Sequence, residues 1–278
     1  MIYLNCEVKS GLGEDTFWTW MEREFNGGCS FETPTELKDE DILIRYSTLG
    51  FLPIQGKQIA YCLELLPQMK EQWHLDMWDE KLKKVNECAR YSTYRVVATE
   101  ESVKDYEKYG TVDIIPIGVD TDVYKPLNDK ENLRKKYNLP LDKKIAVWIG
   151  TCHPMKGYDR LLMYASQHPE MHFICIWKWE PEATRMEDAS NFVQIPQAQI
   201  NELLNAADIF LSTSYLPSFY MAEWEAMAAD IPFEIIGDNR KEFMPKQHPR
   251  QEIFERGWDR KSCKKQWEEY FKQRGVKW

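Results

Sequence analysis

The chain has 278 residues, of which 43% are apolar and 29% charged, and a formal net charge of −9. That balance belongs to a soluble globular protein and excludes a disordered one, and the length suits two domains better than one core. No window reaches the roughly 18 consecutive apolar residues of a membrane span, and no basic region followed by a long apolar stretch opens the sequence, so a cytoplasmic protein is expected.

Residues 2–8, 41–46, 58–63, 94–98 and 112–117 are short apolar, β-branched or aromatic runs that read as strands. Helical patterns lie between them at 15–25, 77–90 and 101–109, the last with Thr99 as its expected cap. Such alternation predicts a mostly parallel sheet with helices on its faces. Residues 120–142 mix turn residues, charges and two prolines and read as a linker. The alternation then restarts, with strands at 144–149, 172–177, 209–213 and 233–236 and helices at 158–166, 200–206, 221–229 and 260–273. The expected fold class is α/β, with two Rossmann-like lobes facing across a cleft and the first abbreviated. The lobes are placed at 1–122 and 123–259, with 260–278 packing back on the first. Open α/β sheets bind ligands beyond the carboxyl ends of their strands.

Three loops fall at such ends. The first, Lys9-Ser10-Gly11-Leu12-Gly13, serves either as a plain strand-to-helix turn or as a phosphate contact, since Gly11 and Gly13 allow close backbone approach. The second runs Gly150-Thr151-Cys152-His153-Pro154-Met155-Lys156-Gly157. Lys156 there is either a surface lysine or a cation beside a departing diphosphate, with His153 as an assisting donor. The third is residues 216–220, followed by a helix whose free N–H groups face the same side. Glu223 and Glu225 are two residues apart and point to different faces of that helix. Glu223 reads as a solvated residue or a partner of the helix dipole. Trp177, Trp179 and Trp224 read as core or interface anchors.

Seven cysteines without a Cys-x-x-Cys pair read as reduced thiols, and no His/Asp cluster with ligand spacing suggests a metal. The acidic net charge argues against nonspecific nucleic-acid binding, but residues 237–278 hold 12 Lys/Arg against 7 Asp/Glu. That tail reads as a solvated amphipathic helix or as a basic edge for an anionic acceptor.

Three segments together resemble family-4 retaining glycosyltransferases of the GT-B fold: VDIIPIGVDTDVYKP, AVWIGTCHPMKGYDRLL and INELLNAADIFLSTSYLPSFYMAEWEAMAADIPFEII. They follow the family's order over roughly half the chain. The resemblance implies a metal-independent hexosyl- or pentosyltransferase with a nucleotide diphosphate sugar as co-substrate and no cofactor. The first lobe then binds the acceptor and the second the donor. It implies Glu225 on the donor ribose and Lys156 on the diphosphate. Gly150, Thr151 and His153 would lie near that diphosphate, and Ser218, Phe219, Tyr220, Met221 and Ala222 near the distal phosphate, with Gln194 and Ile195 near the nucleobase. Four departures stand out: Thr151 replaces an arginine, Pro217 a glutamate, Tyr220 a glycine and Leu63 a histidine. They favour an unusual donor or, as the alternative, a degenerate, non-catalytic nucleotide-binding or partner-binding protein. The compact first lobe suggests a phage enzyme acting on hydroxymethylated pyrimidines in DNA, which the basic tail would contact.

Overall fold

The computed structural model describes residues 1–6, 13–63, 67–68, 77–151, 154–179, 185–186, 188–215, 221–237 and 248–278. The chain divides into two compact units, one of Met1–Gly118 with Lys261–Trp278 and the other of Val119–Arg260.

The first unit is a six-stranded parallel sheet in the order β2-β1-β3-β4-β5-β6. Its strands are β1 (Ile2–Asn5), β2 (Cys29–Ser30), β3 (Ile42–Tyr46), β4 (Gln58–Cys62), β5 (Tyr94–Val97) and β6 (Val112–Ile114), with helices α1 (Gly13–Glu24) and α2 (Met77–Tyr91). β3 and β4 are buried along their whole length, as strands covered on both faces must be. The core is aromatic: Phe17 and Trp18 of α1 meet Tyr61 at 5.0 and 5.9 Å between ring centroids. Helix α9 (Arg260–Gln273) adds Trp267 and Phe271 to that cluster, both fully buried and stacked on each other at 5.3 Å.

Two expectations in this unit change. The single helix expected over 101–109 is a short helix α3 (Val103–Tyr106) between two 3-10 turns, Glu100–Ser102 and Glu107–Tyr109. Thr99 occupies the cap position, but its hydroxyl makes no capping bond to the backbone and instead lies 3.2 Å from the Ser102 hydroxyl. A side chain engaged by a neighbour leaves the first turn to tighten on its own backbone bonds.

The second unit is a five-stranded parallel sheet in the order β11-β10-β7-β8-β9. The strands are β7 (Ile145–Gly150), β8 (His172–Trp177), β9 (Ala189–Val193), β10 (Ile209–Ser212) and β11 (Phe233–Ile235). The helices are α4 (Lys130–Lys136), α5 (Tyr158–Gln167), α6 (Gln197–Ala206), α7 (Met221–Ala228) and α8 (Pro249–Glu255). Trp148, Tyr158 and Trp177 interlock at 5.0–5.6 Å in its core.

The linker expected at 120–142 contains α4. Its composition is almost wholly polar, so no apolar period announces it. Capping and ion pairing hold it instead: Asp129 accepts from the Asn132 N–H at 3.3 Å, and Arg134 donates to Asp208 at 2.7 Å. Asp208 also accepts from the Ile145 N–H at 2.8 Å, which ties the helix to the start of β7.

Candidate functional site

All five strands of the second sheet run parallel, so their carboxyl ends share one edge. The chain builds outward from β7 through β8 to β9, then returns to place β10 and β11 on the other side of β7. The strand order therefore reverses between β7 and β10, and that is where open α/β sheets form a crevice for ligands.

The segment from Pro154 to Gly157 lies at this point and is pinned to the end of β10. The Thr213 hydroxyl donates to the Lys156 carbonyl at 2.6 Å and accepts from the Trp148 indole N–H at 2.9 Å. The Ser214 hydroxyl donates to the Met155 carbonyl at 2.9 Å, and the Tyr215 N–H reaches the same carbonyl at 3.0 Å. Gly157 is left-handed, with φ +65°, and an added Cβ would stand 2.8 Å from the Thr213 carbonyl carbon and closer still to its oxygen. A glycine is required here on both counts, conformation and space. Arg160 completes the anchor from α5, donating to the carbonyls of Thr213, Ser214 and Ile236 at 3.1–3.4 Å while its guanidinium lies 3.5 Å from the Tyr215 ring centre.

Glu225, on α7, is 5% exposed. Burial pushes its carboxyl above the ordinary value, and Lys178, the Tyr124 hydroxyl, Arg260 and Lys156 act against that rise. The Tyr124 hydroxyl sits in the same field, pushed well up by burial and by Glu225, although it falls outside hydrogen-bond geometry with any described group. Arg260 is engaged by Asp120 at 2.8 Å. A buried carboxylate ringed by cations is an arrangement that stores charge at a site instead of stabilising a core cheaply.

The structure thus brings Lys156 and Glu225 into one electrostatic neighbourhood. Gly150 and Thr151 lie at the end of β7, where Gly150 pairs with Trp177 and Thr151 is buried. Gln194 is exposed at the end of β9 with φ +51°, a strained setting for a non-glycine residue, and Ile195 beside it is half-buried. Met221 and Ala222 open α7, and Gly13 opens α1 in the first unit. Gly11, His153, Ser218, Phe219 and Tyr220 lie outside the described residues, as does Pro217. Leu63 is half-buried against the core of the first unit.

One reading is corrected. Glu223 is not solvated: it is 3% exposed and accepts a hydrogen bond from the Ser212 hydroxyl, which fastens α7 to the end of β10. Three residues that act on Glu225 were given no site role in the sequence, namely Tyr124, Lys178 and Arg260. Tyr124 stands in the segment VDIIPIGVDTDVYKP and Lys178 directly after a strand, whereas Arg260 left no local signal. Trp177 and Trp224 are core residues, and Trp179 is 46% exposed.

No protein-family profile matches the chain. Over 137 residues, covering 44% of this chain and 30% of the relative, it is 28% identical to a D-inositol 3-phosphate glycosyltransferase of Mycolicibacterium paratuberculosis. The chain matches under a third of the length of that curated relative. Among solved structures, Anabaena HepE in complex with UDP-glucose superposes with a TM-score of 0.66 at 14% identity, covering 84% of this chain and 79% of that one. WaaG, a glycosyltransferase involved in lipopolysaccharide biosynthesis, gives 0.65 at 13% identity over 95% and 90% of the two chains. The fold is accordingly of the GT-B type, two α/β units each built on a parallel sheet.

Proposed function

We propose that this protein is a glycosyltransferase that moves a sugar from a nucleoside diphosphate sugar to an acceptor hydroxyl, with retention at the anomeric carbon. The observation that carries the reading is that Lys156 lies in the electrostatic field of buried Glu225, at the strand-order reversal of the second sheet. The likeness to HepE, whose structure contains UDP-glucose, supports a donor of that class.

In this reading the ionised Glu225 carboxylate accepts hydrogen bonds from the ribose hydroxyls and fixes the nucleotide. Lys156 and the amide groups at the start of α7 face the phosphates. As the bond from the anomeric carbon to the phosphate oxygen breaks, negative charge grows on the departing diphosphate, and a preplaced cation stabilises that charge more than the ground state. The acceptor oxygen bonds to the same face of the anomeric carbon and its proton passes to the departing phosphate, so no separate base is assigned. Lys156 supplies the cationic charge without a metal, and transfer persists in a chelator.

Release of nucleoside diphosphate from a panel of nucleotide sugars tests the reading. Glu225→Ala raises donor KM, and Lys156→Ala lowers kcat. Unchanged kinetics in both variants retire the assignment. Nucleotide binding without release from any donor replaces it with a binding module.

For the acceptor, the exposed Lys261, Lys265 and Lys272 of α9 support a polyanion, with hydroxymethylated DNA of a phage as the specific proposal. Transfer to DNA falls steeply with salt. Salt-independent transfer points to a small molecule, glycan or lipid head group.

A further inference from the structure

The donor site as read so far sets one lysine against a diphosphate. A second lysine stands on the neighbouring strand. β8 pairs with β7 in register through Gly150 and Trp177, and the next residue, Lys178, donates its backbone N–H to the Gly150 carbonyl at 3.1 Å. Lys178 therefore leaves β8 alongside Thr151, the residue that begins the loop to Lys156. The lysine is half-buried at the ligand-binding edge, where Thr151 beside it is buried, short and uncharged.

The electrostatic setting adds a second line of argument. Lys178, Arg260 and Lys156 all act on the buried Glu225 carboxyl, with Lys178 the first of the groups that oppose the rise caused by burial. The half-buried Lys178 ammonium therefore belongs to the same charged neighbourhood as Lys156, at the edge where a ligand enters. Phosphate oxygens offer such an ammonium group charge-assisted hydrogen bonds.

We propose that Lys178 is a second cation of the donor site, binding the phosphate chain of a nucleoside diphosphate from the β8 side while Lys156 binds it from the β7 side. This rests on the donor-site reading given under Proposed function. Lys178 thereby supplies from an adjacent strand the charge that neutral Thr151 does not. A lysine acting only as a partner of Glu225 would instead serve the ribose and be indifferent to the number of phosphates.

The two roles separate by titration calorimetry of the full chain with nucleoside diphosphates and the matching monophosphates, using UDP, GDP and ADP as probes. Lys178→Met is expected to weaken the diphosphate about tenfold or more, the loss typical of a charge-assisted hydrogen bond, and the monophosphate clearly less. Lys178→Arg, which keeps the charge, retains most of the diphosphate preference. Should Lys178→Met not fold, Lys178→Gln takes its place in the same titration. Equal weakening of diphosphate and monophosphate, or no weakening of either, overturns the proposal while leaving the donor site standing. A wild-type protein that binds none of the three diphosphates overturns both.

Discussion

Gly157→Ala tests whether the Lys156 turn is built by its fit against β10. The substitution forces a side chain into a left-handed backbone at φ +65°, which costs roughly 1–2 kcal/mol for an ordinary residue. It also places a Cβ 2.8 Å from the Thr213 carbonyl carbon, where ordinary contacts begin near 3.4 Å. Thr213 cannot retreat freely, because its hydroxyl is held between Lys156 and Trp148 and its carbonyl faces Arg160. Overpacking of this kind adds about 1–3 kcal/mol. The sum is a loss of about 2–5 kcal/mol from the second unit. Hydrogen exchange measured across a urea series resolves that unit from the first through peptides spanning β7 and β10. Gly157→Asn tolerates the left-handed backbone better while keeping the clash, so it separates the two contributions and is expected to fall between wild type and Gly157→Ala. Nucleoside diphosphate affinity drops in parallel, since Lys156 rides on the displaced turn. A Gly157→Ala protein within about 0.5 kcal/mol of wild type, the range of an ordinary surface change, would refute the reasoning.

Two further outcomes follow from the same geometry. Burial holds the Glu225 carboxyl above its usual 4.5, so its contribution to stability is full below that value and is lost as pH rises through the elevated one. Glu225→Gln flattens this slope in pH-dependent unfolding, whereas wild-type nucleotide affinity runs the other way, rising over the same interval as the carboxylate ionises; a wild-type affinity flat in pH contradicts its place on the ribose. In the first unit, Trp267→Ala empties a fully buried site and costs about 3–5 kcal/mol in urea unfolding. Trp267→Phe costs less, because it keeps an aromatic ring and removes an indole N–H that has no partner among the described residues.

Most strands were legible because a sheet buried on both faces demands continuous apolar runs, as in Ile42–Tyr46 and Ile145–Gly150. Those that escaped lack such runs. Cys29–Ser30 is two residues long and exists through its pairing with Ile2 and Tyr3, and Ala189–Val193 is a half-buried edge strand with serine and asparagine in its middle. α4 escaped because its anchors, Asp208 and the Ala206 carbonyl, lie over seventy residues away in the chain. The site divides along the same line. Lys156 and Glu225 belong to local segments with a recognisable order, but Tyr124, Lys178 and Arg260 gather around Glu225 only when β8, the crossing at Val119 and the start of α9 are folded. Glu223 was misread for the converse reason, since its local setting at a helix start resembles a solvated one and only the return of β10 buries it.

The packing of α9 also sets an order of events during synthesis. Phe17, Trp18 and Tyr61 leave the ribosome first, yet the rings that cover them arrive last, with Trp267 and Phe271. Translation of the intervening unit takes on the order of ten seconds at ordinary elongation rates. Throughout that interval the earliest-made sheet waits with its aromatic face uncovered, so the nascent chain stays vulnerable to aggregation until its last helix emerges.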